Sequence, residues 1–139
     1  MSAAAVNWLI EMGATLSQSW AFKSGGVAVE LTDWHARLQI RPTPESPTLI
    51  FDASDTLGNI TISEVLGIVT VTDDAGALEA ADINHLPTGK EPVPDATKTT
   101  VVTACGRIAW YGLDLIDDSG TIYRVLQGKV VLSPWVVAP

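Results

Sequence analysis

Cysteine is almost missing from this 139-residue chain: Cys105 stands alone. No internal disulfide is possible, which fits a chain made in a reducing cytosol. Positive charge is also scarce, with eight Lys/Arg against sixteen Asp/Glu and a net charge of −8. Nucleic-acid binding relies on clustered Lys/Arg that displace phosphate counterions. Here Lys23, Arg37, Arg41, Lys90, Lys98, Arg107, Arg124 and Lys129 are scattered through the sequence. Neither nucleic acid nor an anionic membrane surface is therefore an expected partner. The acidity is uneven, since residues 1–75 hold three basic and nine acidic side chains. No apolar run approaches the ~18 residues of a membrane helix. Met1–Glu11 lacks the basic start and longer apolar stretch of a signal peptide, so synthesis in the cytoplasm is expected.

Groups that carry chemistry are equally sparse. The two histidines are His35, on the outward side of a predicted strand, and His85, in a Pro-flanked stretch, and neither has a Gly-x-Ser-x-Gly elbow. Cys105 precedes Gly106 with only Arg107 as a neighbouring cation, which reads as a small buried side chain rather than a reactive thiol. Asp73-Asp74 and Asp117-Asp118 sit beside glycines without calcium-loop spacing, so turn chemistry explains them better than a cation site. Thr88–Glu91 echoes the end of a phosphate loop but lacks its first glycine and the Ser/Thr after the lysine. An enzyme is not expected, and neither a metal nor a cofactor.

What is present is apolar residues, 47% of the chain, while the charged fraction of 17% lies below the ~25% usual for soluble domains. One domain over residues 1–139 is expected from the length. The pattern has period two: Trp34, Ala36, Leu38 and Ile40 alternate with His35, Arg37, Gln39 and Arg41, so the first set should face a core. Apolar or β-branched runs recur at 16–22, 27–31, 49–51, 60–62, 68–72, 100–103, 108–116 and 122–132. Between them lie turn signals at Ser24-Gly25-Gly26, Asp55–Asn59, Asp73–Gly76 and Asp117–Gly120. Short strands at this spacing predict an all-β antiparallel sandwich or barrel, with an immunoglobulin-like sandwich as the expected fold class. Residues 77–99 depart from the pattern, predicting one short helical turn over Ala77–Ala81 and then a long loop carrying Pro87, Pro92 and Pro94.

Five of the nine aromatic residues are tryptophan, a type enriched at binding hot spots. Trp34 and Trp110 fall inside strand patterns and are expected in the core. The ends of the chain, 1–12 and 134–139, read as apolar extensions with no evident core role. The residues expected to bind a partner are therefore Trp8, Leu9 and Ile10 at one end and Trp135, Val136 and Val137 at the other, followed by His85, Lys90 and Glu91 in the long loop.

Several segments together resemble a family of small tailed-phage proteins. Gly13-Ala-Thr-Leu-Ser17 opens a strand, a Gly hairpin follows, and Val29–Arg41 is similar to the family's "dLtgytarmqiR" segment. Leu57–Ile62 and Gly67–Val71 resemble its next two strands, and Tyr111–Gly120 with Tyr123–Ser133 resembles its closing hairpin. The likeness covers residues ~13–75 and ~107–134 and points to the N-terminal β-sandwich of phage baseplate upper proteins. It implies a virion structural protein in tail, baseplate or neck, an adaptor or fibre-attachment subunit that contacts other virion proteins and copies of itself. The alternative is a head-decoration or carbohydrate-binding sandwich.

Overall fold

The computed structural model describes residues 4–11, 16–73, 86–94 and 101–133. The expected helical turn, His85, Trp135, Val136 and Val137 lie outside the described residues. Within them the chain is all-β, with twelve strands and no helix. These are β1 (Ala4–Ala5), β2 (Trp8–Glu11), β3 (Leu16–Ala21), β4 (Lys23–Ser24), β5 (Val27–Ala28) and β6 (His35–Arg41) in the first part. The second part adds β7 (Phe51–Ser54), β8 (Ile60–Ser63), β9 (Ile68–Asp73), β10 (Thr88–Pro94), β11 (Val101–Ile116) and β12 (Ile122–Ser133).

Two sheets share one apolar core. The larger runs β1-β12-β11-β6-β7, with β2 also on the β12 edge and β10 also on β11. The smaller runs β3-β9-β8, and β4–β5 is a separate hairpin. The β6 alternation works as its residues dictate: Ala36, Leu38 and Ile40 are buried while His35 is exposed. From the small sheet Ile60, Val69 and Val71 enter the same cluster as Leu38, Phe51 and Leu113. Trp34 is half-buried at its margin and stacks on Tyr123 with ring centroids 5.8 Å apart.

The 16-residue β11 organises the large sheet. Its first half pairs with β10, its second half with β6, and β12 covers the other edge from Arg107 to Ile116. A bulge between Leu113 and Asp114 leaves Val125 without an opposite residue on β11, and both Val125 and Leu126 are buried. The β11–β12 turn forms as expected, with Asp117 Oδ1 accepting the Ser119 and Thr121 N–H groups at 3.0 and 2.9 Å.

Three expectations are corrected. Residues 88–94, taken for loop, form β10; Pro92 and Pro94 are tolerated because β10 is an edge strand whose prolines remove no central ladder bond. Strands β10 and β2 border opposite sides of the β11–β12 pair, yet Asn7 Nδ2 donates to Pro92 O at 3.1 Å. This end of the sheet curls over a second small core of Val93 and Val131, with Leu9 and Ile108 against it. Cys105, expected buried, is exposed. It sits in the β10–β11 ladder opposite Lys90, which is exposed as well. Trp110 is half-buried rather than central, because it alternates outward from Ala109 and Tyr111.

Candidate interaction surface

The proposed N-terminal contact residues are taken up by the fold itself. Residues 8–11 pair in parallel with β12, Trp8 opposite Val130 and Ile10 opposite Leu132. Trp8 and Ile10 are buried in the main core, and Leu9 packs against the second. Trp8 meets Trp20 and Tyr111 edge-on, at centroid distances of 5.3 and 5.5 Å. Trp8 and Ile10 thus serve the domain's own core, while Leu9 is half-buried. Glu91 is engaged internally with Lys129 Nζ at 2.8 Å, while Lys90 is exposed.

The unsatisfied apolar surface lies elsewhere. His35 pairs with Ile116, so the start of β6 and the end of β11 share one end of the molecule. The β7–β8 turn joins them there, through Asp55 Oδ2 on His35 Nδ1 at 2.6 Å and Oδ1 on the Ala36 N–H at 3.2 Å. The β8–β9 turn joins from the small sheet: Leu31 N donates to Glu64 O and Phe22 N to Gly67 O, each at 2.9 Å. Gly67, at φ +64°, allows this closeness, because a Cβ there would lie 2.5 Å from Val29 O.

This gathering of loops carries Val27, Leu57, Val65, Leu66 and Ile122, each between 55% and 76% exposed. They are five of the six large apolar side chains exposed among the described residues, and Leu49, the sixth, sits in the β6–β7 connection at the other end. Scattered exposed apolar residues are ordinary, but clustering of them marks an interaction site. Exposed Glu30, Asp33, Glu64 and Asp118 stand on the same loops, with Lys23 on the β4 strand. An apolar centre with a polar, mostly acidic rim is the anatomy of a protein–protein contact, in which the apolar side chains supply the burial.

The rim includes two tuned carboxyls. Burial pushes Asp55 up, but the His35 hydrogen bond and the Ala36 N–H outweigh it and hold Asp55 below the usual carboxylate range. The Ser119 hydroxyl, then the Thr121 N–H, hold Asp117 low as well. Both interactions order turns. Among the described residues no three His, Cys, Asp or Glu side chains come together as a metal site, and no helix is long and apolar enough to cross a membrane.

No protein-family model matches the chain, and no curated protein matches it.

Turn glycines and aspartates locate these loops but do not by themselves point to the apolar side chains beside them. The signal was there: Gly26-Val27, Leu57-Gly58 and Leu66-Gly67 place a large apolar residue directly beside a turn glycine. Such a side chain stands at a loop tip, where its own core cannot reach it.

Proposed function

We propose that this chain is an assembly module, a structural subunit of a tailed-phage virion that joins neighbouring proteins in tail, baseplate or neck through its loop end. The observation that carries the contact is the placement of five exposed apolar side chains, Val27, Leu57, Val65, Leu66 and Ile122, on loops at one end of the molecule. The virion setting rests on the resemblance of Val29–Arg41 and Tyr111–Ser133, the segments that supply β6, β11 and β12. The strand orders favour an immunoglobulin-like sandwich: β3-β9-β8 follows the B-E-D order, and β12-β11-β6-β7 follows G-F-C-C′. In variable domains of that architecture the B–C and F–G loops share one binding end, and on this reading the β3–β6 and β11–β12 connections are their counterparts.

Incorporation into particles tests this reading. Tagged chain supplied during phage production is expected to copurify with virions. The Val65→Ser/Leu66→Ser variant, with the same melting temperature because both side chains are exposed, is expected to be left behind. Equal incorporation of both would remove the loop end as the contact. Absence of the unaltered chain from particles would overturn the virion reading.

A further inference from the structure

The outer face of the large sheet carries a second feature, independent of the loop end. A cleft of about 300 Å³ opens across β6, β11 and β12. Gly112 and Gly128 line it, with Trp110 and Arg124 from β11 and β12, Gln39 and Arg41 from β6, and Gln127 alongside. Gly112 has a specific role, since the Arg124 guanidinium lies flat across it and a Cβ would stand 2.6 Å from Nη1.

Charge is unbalanced here. Asp114 is 4% exposed, with one carboxylate oxygen on Arg124 Nε and the other on Arg37 Nη2 at 3.0 Å. Arg41 gives its Nη1 to the Ser46 carbonyl at 2.8 Å and its Nη2 to Gln39 Oε1 at 2.9 Å, both neutral oxygens. Asp114, itself in the lining, thus meets two guanidiniums, Arg124 in the lining and Arg37 beside it. Arg41 pairs with no carboxylate among the described residues, and a further acid on this face, exposed Asp52, stands opposite Gln39 on β7. Lys129 adds no further excess, because it pairs with Glu91 and lies 5.4 Å from the Trp110 ring centroid.

We infer that this cleft binds a carboxylate-bearing sugar residue of the uronic-acid class. Its volume sits at the lower end of the ~300–1,000 Å³ of small-molecule sites and suits a unit of one or two rings. The guanidinium forks of Arg41 and Arg124 match a carboxylate. The Trp110 indole, with Lys129 Nζ over one face, offers its remaining face to a sugar ring, and the Gln39 and Gln127 amides suit ring hydroxyls. An acidic peptide side chain would use the arginines but leave the aromatic wall and the two amides without a counterpart.

Titration of the full-length chain with glucuronate or a short galacturonate oligomer, followed by amide NMR, tests this. Expected are shifts at Gln39–Arg41, Trp110–Gly112 and Gln127–Gly128, with glucose binding at least about tenfold more weakly, as one charge-assisted contact requires. Arg41→Gln should weaken binding by a similar factor. Gln127→Glu, at an exposed position where folding is not at stake, should abolish it by repelling the carboxylate. Shifts elsewhere, no shifts at all, or unaltered affinity in Gln127→Glu would overturn the inference. So would equal binding by acetate or an acidic peptide, which would make the cleft a bare carboxylate site.

Discussion

Tyr111 shows how one side chain serves two layers at once. Its ring is buried under Trp8, and its hydroxyl donates to Val6 O at 2.5 Å, tying the N-terminal edge to the sheet centre. Burial pushes its ionisation up to about 12. A group whose pKa rises on folding lends stability that is complete below its unfolded pKa, near ~10, and is lost as pH climbs through the folded value. Between pH ~10 and ~12 the protein should therefore lose on the order of 2 kcal/mol through this residue alone. Tyr111→Phe should cost about 1 kcal/mol at neutral pH, for the lost hydrogen bond, and should flatten that alkaline limb. Urea unfolding of both proteins across this range gives the comparison. An identical alkaline slope in the variant would mean other groups carry it. Asp114 makes the complementary case, because its removal strands two guanidiniums. Asp114→Ala is expected to lower stability by roughly 2–3 kcal/mol, well above the median for exposed ion pairs.

Among the elements, the N-terminal edge strand is the one whose role most depends on distant partners. Trp8→Ala would open a cavity between Trp20 and Tyr111, and the expected cost is about 3–5 kcal/mol. A melting-temperature drop would mark Trp8 as core. Unchanged stability with lost assembly would return it to the role of an exposed contact. Gly128 faces the backbone of Val6, so Gly128→Ala should destabilise by displacing the same edge. The strand alternation of β6 and the Asp117 turn were legible in the sequence because both are local: period two fixes which side chains face inward, and an Asx turn closes over four residues. What β2 and β10 do was not legible. Each pairs with a strand far along the chain, β2 in parallel with β12, and apolarity cannot say whether a terminal segment docks on its own domain or on another. Prolines at 92 and 94 signalled loop correctly for a central strand and wrongly for an edge. Cys105 misled for the same reason, since it stands opposite exposed Lys90 on that edge strand.

At the scale of the whole molecule, the apolar loop end and the arginine-lined cleft divide the surface into regions of different chemistry. Copies meeting through two loop ends would bury Val27, Leu57, Val65, Leu66 and Ile122 while opposing acidic rims. Copies meeting loop end to cleft would set Glu30, Asp33 and Glu64 against Arg41 and Arg124. Salt separates the two. Raising ionic strength shortens the screening length from about 10 Å at 0.1 M toward 3 Å at 1 M. Repulsion between like rims is then removed and apolar burial is untouched, so loop-end pairing should strengthen. Attraction between unlike patches would be screened and should weaken. Because the exposed apolar side chains, rather than the charges, carry the contact, sedimentation equilibrium at micromolar concentration is expected to show self-association that grows with sodium chloride. The Val65→Ser/Leu66→Ser variant should stay monomeric throughout. Association that weakens with salt and survives that variant would place the cleft, not the loop end, at the contact between copies.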